Sequence, residues 1–303
     1  MSGTALEKID EYAGDNLVEG ILGLVETRRP LLVYLVGGEP LVRYRELSVL
    51  LPELCSRGIK VEVVTSAVRP IPAEWSRLED LTVVVSIDGL QPEHDARRKP
   101  ATYDRILSHI EGHNIVVHCT VTGQMTRKPG YLAEFVEFWN RPEVVRIRMS
   151  LFTPQIGESR EEVLSPEDRR RVVADLGRLH RVYPKLRLTT RMLDAYLKPP
   201  TSPERCIFAR ATGCVSSDLK TLVLPCQFGG SPDCSQCGCA ATAGMEAIGQ
   251  FRLAGVRLGA IYDFSLKIGS LASRMRRFLG RAGSALETVP AAGVEPGTDD
   301  STP

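Results

Sequence analysis

The sequence lacks the features that would direct it to a membrane, to export or to nucleic acid. No apolar run approaches the roughly 18 residues that suggest a membrane span. The first residues, MSGTALEKIDEY, are polar and have no apolar core of the kind found in a signal peptide. Lys and Arg total 38 and Asp and Glu total 37, which gives a formal net charge of +1 and no global electrostatic footprint for nucleic acid. We therefore expect a cytoplasmic protein with no nucleic-acid partner.

Cysteine and histidine are both missing from the first 36 residues. Cys55 and Cys119 stand alone in apolar stretches, and we expect both to be buried core thiols. Without an export signal, a dense cysteine cluster favours a metal or iron–sulfur site over a disulfide framework. Such a cluster lies within residues 206–239 and consists of Cys206, Cys214, Cys226, Cys234, Cys237 and Cys239.

Short apolar runs alternate with helical patterns over the first two-thirds of the 303-residue chain. This alternation predicts an α/β fold with a parallel sheet, and the spacing alone leaves open whether the sheet is doubly wound or a barrel. Ser165 is the expected N-cap of a long charged helix. The predicted strands are 31–36, 60–64, 81–87, 115–121 and 144–151, and the predicted helices are 44–56, 103–113, 130–140 and 166–183.

The pattern breaks past residue 190, which predicts four segments. A strand–helix domain covers 1–190, a cysteine-rich module 191–262, a basic amphipathic helix 263–283 and a disordered tail 284–303. The basic helix could lie weakly on a membrane surface through 263–281, or pack on the preceding domain with a solvated basic face. We favour the packed helix.

Polar residues recur where successive predicted strands end. Ligands bind at this edge in parallel α/β sheets and barrels, so these residues are candidate site residues. They are Gly37, Gly38, Glu39 and Pro40 after the first strand, Ser66 after the second, Ser86 and Asp88 at the third, Arg97 and Arg98 shortly beyond it, and Thr122 after the fourth.

The order GGEP, a TNG-like TSA, then SIDG followed by His94-Asp95 and arginine resembles the radical SAM superfamily. With the downstream cysteines, the resemblance is to the branch that carries a C-terminal SPASM- or twitch-like module for auxiliary clusters. It covers residues 20–240. It implies an incomplete parallel (β/α) partial TIM barrel, followed by a small cysteine-rich module that binds a [4Fe–4S] cluster.

The resemblance also implies roles for the candidate residues around S-adenosylmethionine. Arg97 or Arg98 would meet its carboxylate, since a guanidinium fork suits that group. The other roles follow the motifs: Gly37, Gly38, Glu39 and Pro40 at the methionine amino group, Ser66 near the cofactor, Ser86 and Asp88 facing the cofactor and substrate space, and Thr122 near the adenosine.

One departure from the family is serious, because the C-x3-C-x2-C loop that holds the SAM-cleaving cluster is not in this sequence. We expect that the sequence begins downstream of the true start; the alternative is a non-catalytic homologue that binds zinc or an Fe–S cluster. As written, the chain should not cleave S-adenosylmethionine. A complete form would take electrons from a donor such as flavodoxin or ferredoxin and act on a small-molecule or peptide substrate.

Two further sets of residues have open interpretations. The six clustered thiols suffice for one four-ligand site, and we expect an Fe–S cluster there with structural zinc as the alternative. Arg146 and Arg148 alternate on the fifth strand, either facing the barrel interior and an anionic substrate or lying at a solvent edge. His94 is either functional or an exposed loop histidine.

Overall fold

A five-stranded parallel sheet forms the centre of the chain, as a computed structural model that describes residues 12–265 shows. The chain divides into two compact units, residues 1–248 and 249–303. Within the first unit the strands follow one another in chain order across the sheet, which confirms the predicted α/β fold. The strands are β1 (Leu32–Leu35), β2 (Lys60–Thr65), β3 (Leu81–Ile87), β4 (Ile115–Val121) and β5 (Val144–Leu151).

Helices connect the strands and cover one side of the sheet. The predicted helix at 44–56 has the expected bounds, whereas those at 103–113 and 130–140 are shorter than predicted. Several short helices were not predicted, because four to ten residues carry too few turns to show a periodic apolar pattern. The helices are α1 (Asp15–Arg28), α2 (Tyr44–Ser56), α3 (Glu93–Arg98), α4 (Tyr103–His109), α5 (Gly123–Thr126), α6 (Tyr131–Phe138), α7 (Pro166–Val182), α8 (Thr190–Leu197), α9 (Ile207–Ala211) and α10 (Ala240–Gly249).

The two faces of the sheet differ in composition. Successive side chains on a strand point to opposite faces, and the register places alternate positions of all five strands together. One face is apolar and joins the hydrophobic core with α2, α4 and α6. Its strand residues include Val63, Val85, Val117, Cys119 and Met149. Cys119 is therefore a core thiol, as predicted. Cys55, also predicted to be buried, is only half-buried and packs against the edge of the same core.

The opposite face, called the polar face below, is lined by polar side chains that are half-buried, or buried in the case of Ser150. The registers Glu62↔Thr82, Ser86↔His118 and His118↔Arg148 place these positions on one side. After β5, Leu186 forms a parallel bridge with Ile147 and extends the sheet by one short segment. The polar face comprises Glu62, Thr82, Ser86, His118, Thr120, Arg146, Arg148 and Ser150.

The second unit is described only over residues 249–265, where a two-residue antiparallel pair joins β6 (Arg252–Leu253) to β7 (Val256–Arg257). Beyond its first three residues, the predicted basic helix at 263–283 lies outside the described residues, as does the predicted tail at 284–303. The predicted domain boundaries stay predictions. No helix between residues 12 and 265 has the length and apolarity that crossing a bilayer requires.

The N-terminus of α7 is closed by a capping box, which confirms Ser165 as the N-cap. The Ser165 hydroxyl accepts from the Asp168 N–H at 3.0 Å, and the Asp168 carboxylate accepts from the Ser165 N–H at 3.3 Å. Two of the amide groups that every helix start leaves without intrahelical partners are thus satisfied.

We expect Ser165→Ala to lower the free energy of unfolding by about 1 kcal/mol, because the Asp168 amide loses its acceptor. Ser108→Ala is the control, since Ser108 is exposed on α4 and alanine is the better helix former there. Chemical denaturation of both variants measures the difference. Equal stabilities would contradict the capping role.

Candidate functional site

The loop after β1 is shaped by two glycines with positive φ. Gly37 has a φ of 97° and Gly38 a φ of 49°, a region that L side chains rarely adopt. This backbone turns Glu39 into the N-cap of a 3₁₀ turn at Pro40–Arg43, where its carboxylate accepts from the Leu41 N–H at 3.0 Å. The predicted GGEP loop therefore lies at the carboxyl end of β1, with its carboxylate half-buried.

The Glu39 carboxylate ties this loop to the end of β2. Its Oε2 accepts from the Ser66 N–H at 2.8 Å and from the Ser66 hydroxyl. Its Oε1 accepts from the Thr65 hydroxyl in addition to the Leu41 amide. A carboxylate offers about four acceptor positions, so four donors of the protein occupy all of them. The structure thus brings Glu39 and Ser66 into direct contact.

The loop after β3 is organised by His94, which is fully buried. Its Nδ1 accepts from the Asp88 N–H at 2.9 Å, which leaves Nε2 protonated and donating to the Ala101 carbonyl at 2.9 Å. Burial lowers the pKa of His94, in keeping with a neutral ring. His94 is neither an exposed loop histidine nor a group open to ligands; it fixes the backbone of the loop.

Asp88 and Arg98 form a two-pronged ion pair beside this histidine. Arg98 Nε donates to one carboxylate oxygen at 2.7 Å and Nη2 to the other at 3.1 Å. Burial acts to raise the pKa of Asp88, and the bonds from Arg98 outweigh it and hold the pKa below its usual value. Asp88 is therefore an anion with a committed partner.

A cleft of about 230 Å³ gathers three predicted residues between α3 and α5. Asp88, Arg97 and Thr122 line it. Arg97 also approaches Glu162 at 3.7 Å. Thr122 caps α5 by accepting from the Met125 N–H at 3.5 Å. Ser86 lies apart from the cleft lining, on the polar face opposite His118 in register.

Five of the six clustered cysteines line one cavity, called the cysteine cavity below. It contains Cys206, Cys226, Cys234, Cys237 and Cys239, but not Cys214, which lies nearby and half-buried. The cavity is narrow, with a free volume of about 20 Å³, room for one water. Within residues 12–265, no three His, Cys, Asp or Glu side chains converge closely enough to hold a single metal ion.

N–H groups are directed at the sulfurs of this cavity. Cys206 is the N-cap of α9 and its Sγ accepts from the Ala209 N–H at 3.4 Å. Cys239 immediately precedes α10 and its Sγ accepts from the Gln227 side chain at 3.0 Å. Backbone N–H groups also reach Cys226, Cys237 and Cys239 and act to lower their pKa values. Such donors and helix N-termini stabilise thiolate over thiol.

In the absence of a cation, burial nevertheless keeps the thiols of Cys226, Cys237 and Cys239 protonated. It raises the pKa of Cys226 to about 11 and that of Cys237 to about 11, and it raises the pKa of Cys239 as well. A bound metal would remove the thiol protons, since metal ligands are thiolates. The donor set is all sulfur, which is typical of zinc and Fe–S sites.

The cysteine cavity is anchored to the carboxyl end of β5. The Leu151 N–H donates to the Gly238 carbonyl at 2.8 Å, and the Gly238 N–H donates to the Thr153 hydroxyl at 2.9 Å. A Cβ on Gly238 would lie 2.2 Å from the Leu151 carbonyl oxygen, so only glycine permits this approach. The cavity thus lies at the same edge of the sheet as the Glu39 loop.

Arg169 is a residue that sequence reasoning missed. It lies on α7, is only 8% exposed, and donates to the carbonyls of Tyr196 at 2.9 Å, Cys237 at 3.1 Å and Gln236 at 2.5 Å. Its burial was not readable, because it stands among three consecutive arginines of a charged helix. It puts a positive charge against the backbone of the cysteine segment.

Comparison with known proteins rests on structure alone, since no protein-family profile and no curated protein sequence matches this chain significantly. The structure of native anSMEcpe with bound AdoMet and Kp18Cys peptide matches with a TM-score of 0.53 and 15% identity, over 74% of this chain and 69% of that chain. The chain therefore shares the fold of that structure, a parallel α/β partial barrel. The complex with Cp18Cys peptide matches with a TM-score of 0.52 and 15% identity, over 71% of this chain and 66% of that one.

The chain spans less than half the length of a further protein that it matches. SuiB of Streptococcus suis, in its complex with S-adenosylmethionine, is 19% identical with a TM-score of 0.45. That match covers 59% of this chain and 42% of SuiB.

We expect Gly238→Ala to lower the free energy of unfolding by about 1–3 kcal/mol, because the added methyl group forces Leu151 and the cysteine segment apart. Gly244→Ala is the matched control: it lies in α10, where a Cβ meets no atom within 4 Å. Denaturant unfolding measures both variants. A Gly238 variant as stable as the control would contradict the close approach of the two backbones.

Proposed function

We propose that this chain is a radical SAM superfamily protein that binds S-adenosylmethionine and a metal–sulfur centre along the carboxyl edge of its sheet. One observation carries the proposal. The Glu39 loop after β1 and the cysteine cavity anchored at the end of β5 share the ligand-binding edge of a single parallel sheet. The fold supports the assignment, because this is the edge at which parallel α/β proteins bind ligands.

Glu39 is the residue we assign to the ammonium group of S-adenosylmethionine. Two of its four donors are hydroxyls, from Thr65 and Ser66, and a hydroxyl can rotate away at little cost. An ammonium group offers three donors and would replace these hydroxyls with a charge-assisted bond. When bound, S-adenosylmethionine supplies a sulfonium whose carbon–sulfur bond is open to reductive cleavage.

Arg97 is better placed than Arg98 to meet the carboxylate of the cofactor. Arg98 is committed to both oxygens of Asp88. Arg97 has one long contact, to Glu162 at 3.7 Å, and it lines the cleft. A planar guanidinium binds a carboxylate through two parallel hydrogen bonds. The guanidinium of Arg97 can still form both of them with the cofactor. Thr122, in the same cleft, is the residue assigned to the adenosine side.

The cysteine cavity is the site we assign to an auxiliary [4Fe–4S] cluster. A single zinc ion needs four sulfurs about 2.3 Å from one point, whereas a cluster distributes its thiolates over several irons. The spread of the five sulfurs favours the cluster, and the small volume favours a single ion such as zinc. A bound cluster supplies an electron carrier or a Lewis-acidic iron. The N–H donors on the sulfurs and the Arg169 guanidinium would offset its thiolate charge.

The residues present do not supply a second, SAM-cleaving cluster beside Glu39. Outside the cysteine cavity, the remaining thiols of the chain are those of Cys214, in the cysteine-rich segment, Cys55, on α2, and Cys119, on the core face of β4. The second candidate is accordingly a homologue that binds metal without catalysis, and the occupation of all four Glu39 acceptor positions by the protein itself favours it.

Metal analysis decides between the cluster and zinc. We expect the full chain, purified without oxygen and reconstituted with iron and sulfide, to hold about four irons and four sulfides and to absorb near 400 nm. Cys226→Ser should lose most of the iron, because it removes a sulfur from the cavity lining, whereas Cys55→Ser is the control and should keep it. One zinc per chain and no iron would contradict the cluster.

Binding of S-adenosylmethionine tests Glu39. We expect Glu39→Gln to raise the dissociation constant about tenfold or more, because a hydrogen bond to a charged group is worth about 1.5–3 kcal/mol. Glu19→Gln, an exposed position on α1, makes the same charge change away from the edge and should leave binding unaltered. Isothermal titration calorimetry on both variants, with thermal unfolding to check the fold, makes the measurement.

Two results would overturn the assignment. Wild-type protein that does not bind S-adenosylmethionine would favour the second candidate. Wild-type binding that Glu39→Gln leaves unchanged would place the cofactor elsewhere.

A further inference from the structure

Three arginines, Arg146, Arg148 and Arg187, lie together on the polar face at its β5 side. Arg146 and Arg148 lie two residues apart on β5, and their register partners on β4 are Val116 and His118. Arg187 follows Leu186, whose bridge to Ile147 adds a short segment beyond β5. Because side chains alternate along a strand, Arg187 is directed to the same side as Arg146 and Arg148.

One carboxylate, that of Glu62, forms an ion pair with one of these three arginines. Glu62 on β2 accepts from Arg148 Nη1 at 2.8 Å and from Nη2 at 3.0 Å. In a flat sheet β2 and β5 stand three strand spacings, about 14 Å, apart, so the two side chains extend toward each other over β3 and β4. Val84 and Val116, on those two strands, are buried on this face. The pair therefore forms the floor of the polar face and is neutral as a unit.

Arg146 and Arg187 are left as net positive charge. Within residues 12–265 neither side chain makes an ion pair. Burial lowers the pKa of Arg146, and the neighbouring Arg187 and Arg148 guanidinium groups lower it further. Holding a half-buried guanidinium next to two others is unfavourable unless an anion joins them.

The surroundings supply neutral hydrogen-bonding groups. Glu62 is the carboxylate that acts on Arg146, and Asp88, which also acts on His118, is paired with Arg98. Ser86 and Thr120 are half-buried on the neighbouring strands. His118 bonds Ser150 Oγ at 2.8 Å. Burial, followed by the charge of Arg148, lowers the pKa of His118 to about 4, so its ring is neutral at physiological pH.

We propose that Arg146 and Arg187 bind an oxyanion, the carboxylate or phosphate group of the substrate, over the Glu62–Arg148 pair. As a substrate site this rests on the proposed function; as an anion site it does not need S-adenosylmethionine. The guanidinium of Arg146 would take two oxygens of the anion, and Arg187 would contribute charge from the adjacent segment. The remainder of the substrate would then lie along the polar face toward Ser86 and the carboxyl edge.

Anion binding to the full chain tests the site, with inorganic phosphate and acetate as the two probes. Each is titrated by calorimetry at constant ionic strength, set with sodium chloride. We expect saturable binding of at least one probe, and the tighter one identifies phosphate or carboxylate as the substrate's group. Arg146→Gln should weaken that binding about tenfold or more. Arg146→Lys keeps the positive charge but loses the two-pronged guanidinium. Its affinity for the anion should lie between those of the wild type and Arg146→Gln.

The matched control is Arg170→Gln, which removes an exposed guanidinium from α7 and should bind as wild type does. Binding of S-adenosylmethionine is measured on the same samples and should not change in Arg146→Gln. The inference is overturned if neither probe saturates the wild-type protein, or if folded Arg146→Gln binds as tightly as Arg170→Gln. If the wild-type protein binds phosphate or acetate but does not bind S-adenosylmethionine, the result would instead contradict the proposed function alone.

Discussion

Alternation of side chains along five parallel strands in one register is the constraint on which the rest of this structure depends. It sends Val63, Val85, Val117 and Met149 to the helices and leaves the other face to polar groups. The same register aligns the carboxyl ends of the strands, so loops far apart in sequence meet at one edge. The Glu39 loop and the cysteine segment are each attached to that edge. They lie near each other because the sheet positions both, without a contact between them.

Much of this scaffold could be predicted from sequence, because buried parallel strands are nearly continuous apolar runs. The bounds of β3, β4 and β5 agree with the prediction. The helices were harder, and α3 shows why. Four of its six residues, EHDARR, are charged, and the helix carries no apolar stripe. Its packing residue is His94, whose burial depends on an Asp88 amide and an Ala101 carbonyl that a linear pattern does not reveal.

The cysteines illustrate a different limit. Their spacing indicated a metal site, yet it could not say which thiols meet. That depends on the backbone path: two sulfurs stand at helix N-termini, and Cys237 and Cys239 are carried in by the contact between Gly238 and Leu151. Cys214 lies in the same segment of sequence and still falls outside the cavity lining. Convergence is a property of the tertiary structure, which pattern reasoning does not reach.

Positive charge is a feature that the cysteine cavity and the polar face share. Arg169 is buried, and its donors meet three backbone carbonyls, an arrangement that satisfies its hydrogen bonds without neutralising its charge. Buried charge of this kind is costly unless an opposite charge is near. Asp233 already places a negative charge near Arg169, and the cysteine cavity would add to it once its thiols are thiolates. On the polar face, the half-buried Arg146 lies beside Arg148 and Arg187, and the oxyanion proposed above would supply the opposite charge. In both places the proposed ligand, a metal–sulfur centre or an oxyanion, would balance positive charge that the fold holds there.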